Sequence, residues 1–551
     1  MVSTRLSPDA VWTNGIVETM ETHQANAEAF AVRDGKFIAV GSNAEIVNLI
    51  GPETKHHDLH GRYVMPGLVE SHVHALLGGC RDLLDVYVGY QASFEELLNA
   101  VKERAEKLPP GGLIFGGPWR IDMRADMGPC PRKMLDKIAP DQIVILADMS
   151  QHCLLANTRT LELAGIIKDC AEIPGGVIER DDTGAPTGIL AEMACAPVRY
   201  LAKRSKEDLT AAADYFISYF NRLGYTAFKE PMAFEDELAT YCDADKRGAL
   251  TLHAAAHIVR FSPEGAKPIS YDEMERLRRE YASENVRTGF AKVFLDGVPV
   301  VLTGSFIAPY LEAEGYDASA HDPAATLLMP QEELNETITE LDRRGFVTKI
   351  HAVGDNAVRV GLNAIEAARQ RNGNSNLRHE IAHCTFVDTA EYKRFSELNA
   401  VAEQSPKLWF PGAGTQSQIG ILGKERVDSS YPIKSLLKEG ASLTAATDWP
   451  AAAPDANPWT GLAGMISRRN PRGEYPGAVG EDQAISLREA LPIYTVNGAR
   501  SLGMEEETGS ICANKWADFI VLDRSLHELV PEEIGAIEVQ QTYWKGTQVW
   551  S

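Results

Sequence analysis

Apolar and polar positions alternate over short runs at both ends of the chain, and a longer pattern lies between them. From Ala10 to about Tyr63 the runs are broken by turns, as in AEAFAVRDGKFIAVGS, where Asp34-Gly35 occupies a hairpin position. That texture predicts antiparallel strands. It returns in GSICANKWADFIVLDRSLHELVPEEIGAIEVQQTYWKGTQVW, with Lys545-Gly546 placed to close a hairpin. One small composite β-sandwich built from both termini, residues 1–63 and 500–551, is the economical arrangement, since chain ends often lie close together.

Between the ends, apolar runs of strand length each precede a helical pattern. Eight such runs follow in order: VMPGLVESHVH, YTAFKE, LTLHAAAHI, FAKVFLDG, FVTKIHAVG, HEIAHCT, AVAEQSPK and SLTAATDWP. Eight strand–helix units close a (β/α)8 barrel, which predicts an α/β fold with a TIM-like barrel over residues 64–499. Two further strand-like runs, LIFGGPW and IVILADM, fall between the first and second units. They are assigned to an insertion after strand 1, residues 75–221, long enough to form a lid or substrate subdomain over the barrel mouth.

Composition narrows the function classes. The chain has 551 residues, 77 acidic against 54 basic side chains, a net charge of −23 and 44% hydrophobic residues. Such a balance repels phosphate backbones and anionic headgroups, so nucleic acid and membrane surfaces are not expected partners. No secretory h-region opens the sequence and no apolar stretch reaches membrane-spanning length, so a cytoplasmic protein is expected. The eight cysteines include no C-x-x-C pair, which removes a disulfide scaffold or a cysteine zinc knuckle. Serine-hydrolase elbows, P-loops and complete dinucleotide fingerprints are also missing from the sequence.

Reactive groups in a barrel sit at the C-terminal ends of its strands. Here those ends are polar: His72-Val73-His74 after the first run, Lys292 and Asp296 in the fourth, His351 in the fifth, His383 in the sixth and Asp448 in the eighth. Residues i and i+2 of a strand share a face at roughly 7 Å, so His72 and His74 can converge on one metal. The spacing alone is weak, because roughly 0.4 H-x-H pairs arise by chance in such a chain. The agreement of four separate strand ends on one ligand set is the stronger signal.

On these stretches the chain resembles the amidohydrolase superfamily, specifically its YtcJ-like metal-dependent hydrolases. VMPGLVESHVH, GFAKVFLDG, KIHAVGDNAV, LRHEIAHC and AATDWP carry the likeness in the barrel, and PRKMLDKIAPDQIVILADMSQHCLLANTRTLELAGI carries it in the insertion. The resemblance implies that His72 and His74 bind a first metal, His351 and His383 a second, and that Asp448 is both a ligand and the catalytic proton shuttle. It implies Zn2+, two per chain, bridged by a CO2-derived carbamate on Lys292. One zinc is the alternative if Lys292 is unmodified, and an ordinary salt bridge to Asp296 is its other reading. Trp119, His152 and Asp296 match substrate-binding positions, and a homodimer acting on a small molecule is implied.

Rival motifs have to be weighed. Lys229 is a second lysine candidate, but it belongs to the second run. His379-Glu380-Ile381-Ala382-His383 reads as the zinc-peptidase H-E-x-x-H, which works on a helix, where i and i+4 lie about 6 Å apart. On a strand they are about 13 Å apart and cannot share an ion, and the context favours a strand. His253 and His257 cannot share an ion for the same reason; His257 is expected in a substrate or core role. His56-His57 is expected in a polar surface turn, Asp355 at a helix start, and Lys407-Leu408-Trp409-Phe410 in pocket wall or core. The expected function is hydrolysis of a C–N bond, most simply in an N-acyl or N-formyl amide, by attack of metal-bound hydroxide. Deamination of a cyclic amidine is the alternative within enzymes, and a non-catalytic scaffold the alternative outside them.

Overall fold

A computed structural model describes residues 7–89, 92–148, 153–173, 176–261, 268–312, 316–405, 407–451 and 453–551. They fall into two compact units, one formed by the chain up to Ala75 together with Ile217–Ser551, the other by Leu76–Phe216.

The first unit holds an eight-stranded parallel sheet whose strands follow chain order. They are β1 (Leu68–Glu70), β2 (Tyr225–Ala233), β3 (His253–Phe261), β4 (Val286–Phe294), β5 (Val347–Ala352), β6 (Glu380–His383), β7 (Val401–Gln404) and β8 (Ser442–Ala445). Each of the eight apolar runs in the sequence supplies one strand. Nearly every strand residue is buried, as in parallel sheets covered on both faces. The helices between them are amphipathic: Gln331–Arg343 buries Leu334, Ile338 and Leu341, one face of a 3.6-residue period.

The barrel closes just beyond the strand ends. Asp448 N–H donates to His72 O at 2.9 Å and His74 N–H to Trp449 O at 3.0 Å. Thr447 N–H donates to the buried Glu70 carboxylate at 3.1 Å. The segments that leave β1 and β8 are therefore paired to each other where their histidines and aspartate stand.

Both chain termini build the β-sandwich of this unit. One sheet runs Lys36–Gly41, Ala29–Arg33, Ala10–Thr13, Lys55–Asp58; the other runs Thr547–Trp550, Val539–Trp544, Phe519–Leu522, Tyr63–Pro66, Ile16–Glu18, Asn26–Ala27. Between them Trp12, Phe30, Phe37, Phe519 and Tyr543 form an aromatic core, with Phe519 stacked on Tyr543 at 4.4 Å. Both predicted hairpins are present, with positive φ at Asp34 and Gly35 (51° and 74°) and at Lys545 and Gly546 (46° and 72°). Two consecutive left-handed residues make the turn whose twist matches a hairpin. A Cβ at Gly35 would also meet Lys545 O at 2.9 Å. His56 and His57 lie in a strand rather than the expected turn; His57 stacks on Trp12 at 4.7 Å and His56 reaches Thr13 Oγ1 at 2.8 Å.

The second unit has its own six-stranded sheet, and the two extra strand-like runs are its strands Leu113–Trp119 and Ile143–Asp148, paired in parallel. Among the described residues the eight cysteines form no disulfide, and no helix is long and apolar enough to cross a membrane.

Candidate metal centre

Three strand ends bring His72, His383 and Asp448 together, with one donor atom of each within 4.8 Å of the others, all buried. His72 Nδ1 lies 2.9 Å from Glu403 Oε2 and its Nε2 lies 3.5 Å from Asp448 Oδ1. His74 Nε2 approaches the same oxygen at 3.4 Å, and its Nδ1 stands 3.5 Å from Glu230 Oε1. His383 Nδ1 donates to Ser405 O at 3.0 Å. His351 joins through its ring, 4.3 Å between centroids from His383. Phe294, at the end of β4, links the group to Lys292: its ring stacks on His351 at 5.4 Å and the Lys292 Nζ stands 4.7 Å from its centroid.

The backbone there is strained. His383 (φ 65°), Cys384 (φ 43°) and Asp448 (φ 56°) are left-handed non-glycine residues, a conformation that costs on the order of 1–3 kcal/mol each and persists at functional sites.

The electrostatics of the group are incomplete in a way that suits a cation. A carboxylate only accepts hydrogen bonds, so the contact with Glu403 places the proton of His72 on Nδ1. Its Nε2 lone pair then faces Asp448 Oδ1, which is buried and, among the described residues, has no close hydrogen-bond donor, the His74 Nε2 standing 3.4 Å away. Two facing acceptors repel unless a positive charge lies by them. Burial opposes charge on His74, yet Asp448 and Glu230 outweigh it and push its pKa up to about 9. Burial likewise opposes the Asp448 carboxylate, but the imidazoles around it, with His74 carrying the positive charge, bring its pKa down to about 2. The nitrogen and oxygen donors fit a divalent ion such as zinc.

Lys292 differs from the other buried barrel lysines. Lys229 ion-pairs with Glu380 and donates to Ser501 O at 3.1 Å. Lys349 pairs with Glu403 and Glu380 and donates to Ser71 O at 2.7 Å. Lys292 has no such partner among the described residues, and burial followed by the charge of Lys349 pushes its pKa down to about 7. The alternative salt bridge to Asp296 is not formed. Asp296 instead accepts from Ser305, Val353 and Gly354 backbone N–H groups at 2.9, 3.0 and 2.9 Å, with His351 Nε2 3.8 Å away.

The remaining candidates disperse. His379 turns to the helix layer, with Nε2 2.9 Å from Asp342 Oδ1 and Nδ1 accepting from Thr348 N–H, while His383 faces the site. The H-E-x-x-H run is a strand and does not make a shared site. His253 holds Asp518 at 2.8 Å. His257 is a buried core residue bonded to Glu230 O. Trp119, within the inserted unit, is enclosed in the core and donates to Leu146 O at 3.0 Å. His152 lies outside the described residues. Trp409 is core, its indole donating to Gly461 O. Asp355 begins its helix and accepts from Ile307 N–H.

Sequence reasoning missed Glu403, Lys349 and Glu230, although each is a charged residue inside an apolar strand run. That anomaly is the signal that marks them.

Known proteins are similar to the chain along nearly its whole length. Residues 55–550 match the model of the amidohydrolase family. Protein LONG AFTER FAR-RED 3 of Arabidopsis thaliana is 28% identical over 98% of this chain and 91% of its own length. An N-substituted formamide deformylase of Arthrobacter pascens is 27% identical (98% and 97%), and the YtcJ protein of Bacillus subtilis (strain 168) 25% (98% and 99%). The crystal structure of an uncharacterized metal-dependent hydrolase from Pyrococcus horikoshii OT3 superposes with a TM-score of 0.76 at 24% identity, covering 95% of this chain and 99% of that one. The chain belongs to the amidohydrolase family and is a metal-dependent hydrolase of the YtcJ-like kind.

Proposed function

We propose that the chain hydrolyses the C–N bond of a small-molecule amide of the N-formyl or N-acyl type, with zinc held at the strand ends. The observation that carries this reading is the convergence of buried donor atoms of His72, His383 and Asp448 within 4.8 Å of one another, with Asp448 Oδ1 lacking a hydrogen-bond donor among the described residues. The deformylase relative, similar along nearly its whole length, supports the substrate class.

His72 and His74 would hold one ion, His351 and His383 a second, with Asp448 on the first and a carbamate of Lys292 serving both. Carbamate formation needs an unprotonated amine, and among the described residues Lys292, unlike Lys229 and Lys349, has no carboxylate partner. A divalent ion in such a set lowers the pKa of water from 15.7 to about 7 and polarises a carbonyl. Asp448, held as a carboxylate by the histidines around it, accepts the proton of the attacking water and passes it to the leaving nitrogen as the C–N bond breaks. The products are a carboxylic acid and an amine. Glu230, at 3.5 Å from Nδ1, orients the His74 ring during this transfer.

The test is metal content by plasma mass spectrometry on protein purified without chelators, together with amine release from a panel of N-formyl and N-acyl amines. About two zinc ions per chain and amine release are expected. Ammonia release from heterocycles instead would make the chain a deaminase, and no metal uptake after zinc is supplied would remove the hydrolytic reading.

A further inference from the structure

We propose that Glu403 is a positioning residue, a single carboxylate that sets the tautomer and orientation of His72 and braces the segment on which His383 is held. The inference rests on the metal reading of the site given above. Glu403 is fully buried on β7, and its two oxygens make different attachments. Oε2 accepts from His72 Nδ1 at 2.9 Å and from Lys349 Nζ. Oε1 accepts from Ser405 Oγ at 2.5 Å and, at the limit of bonding, from His383 N–H at 3.5 Å.

The consequences follow from what each group is able to donate. A neutral imidazole has two tautomers, and one of them would place a proton on the nitrogen meant for the ion. With a carboxylate on Nδ1, His72 keeps its proton there and offers Nε2 to the site. The Ser405 carbonyl, also acceptor-only, does the same for His383. Because Glu403 holds the Ser405 hydroxyl, one side chain on β7 governs both histidines, which come from β6 and from the end of β1.

A carboxylate so deep requires a counter-charge, and Lys349 supplies it from β5 while donating to Ser71 O, the residue before His72. The arrangement thus fixes the ring of His72 from its Nδ1 side and its backbone from the preceding carbonyl. An ion pair serving stability alone would have no need to reach either histidine.

The test compares wild-type protein with Glu403→Gln, whose amide both donates and accepts and so no longer dictates the His72 tautomer. Zinc affinity is measured by competition with a chromogenic chelator, and cobalt-loaded protein is compared by visible absorption. The expected result is an affinity about 10–100-fold weaker in Glu403→Gln, with an altered cobalt spectrum. Ser405→Ala should weaken affinity about 2–5-fold, the loss of one supporting hydrogen bond. Glu403→Gln with wild-type affinity and spectrum, even at a lowered melting temperature, would overturn the positioning role alone. If Glu403→Gln does not fold, Glu403→Asp and Ser405→Ala decide, and unaltered affinity in both overturns it. Wild-type protein that takes up no zinc would overturn the metal reading, and this inference with it.

Discussion

The strand ends of the barrel and the interior just beneath them both bury ionisable side chains, but they settle their charges differently. Beneath, Lys229, Lys349, Glu380 and Glu403 are arranged as ion pairs, two positive against two negative. At the strand ends, His72, His74 and His383 crowd one aspartate, and among the described residues its Oδ1 has no close hydrogen-bond donor and Lys292, over the Phe294 ring, has no carboxylate partner. Buried charge is costly unless paired. On the reading proposed above, a cation held among these nitrogen and oxygen donors compensates the second set, as the lysines compensate the first.

The contrast is sharpened most by Asp448→Asn. It keeps the size of the side chain but removes the proton acceptor, so turnover should fall on the order of 10³–10⁴-fold in steady-state assays of amine release. Metal content should stay close to wild type. Substantial retained turnover would deprive Asp448 of its shuttle role.

The paired set should respond in stability instead. Lys229→Met leaves Glu380 with one cation fewer in a dry interior, and breaking a buried pair by removing one partner costs about 3–5 kcal/mol. The expected outcome is a lower urea midpoint with zinc stoichiometry unchanged. Loss of zinc at an unchanged midpoint would erase the distinction between the two sets.

Lys292→Ala then separates the two lysine environments from the other side. Without its amine no carbamate forms, so zinc should fall from about two to about one per chain and turnover by about 10²-fold, or roughly 3 kcal/mol. Full metal content with full activity in this variant would make Lys292 an ordinary core residue.

These differences also show how far the sequence could be read. The eight strands were visible because each is an apolar run ending in polar residues, and four histidines and one aspartate stood out as candidate ligands because they stand at the ends of those runs, whereas Lys292, inside the fourth strand, was singled out by the family resemblance. The pairing of Lys349 with Glu403 was not, since the partners are 54 residues apart and on strands that the sequence alone does not place across the barrel interior. Nor could spacing decide whether Lys292 meets Asp296. Three backbone N–H groups from two loops claim that carboxylate, and loop paths are not written in a periodic pattern.

The mildest prediction concerns the histidine that matches a metal motif without serving one. His379 and His383 stand at i and i+4 in a run whose ordered part, Glu380–His383, is a strand. His379 spends both ring nitrogens on Thr348 N–H and Asp342, in contact with the helix Gln331–Arg343. Asp342 keeps Arg369, Ser375 and Asn372 when the imidazole is removed, so most of its charge remains compensated. His379→Leu should therefore cost about 1–2 kcal/mol, the penalty of a backbone donor and one carboxylate contact left unmet. Zinc stoichiometry and amine release should match wild type, because nothing in this layer reaches Asp448. Loss of metal in His379→Leu would mean that the helix-type motif operates after all, and that the open set of charges at the strand ends is not where the ion is held.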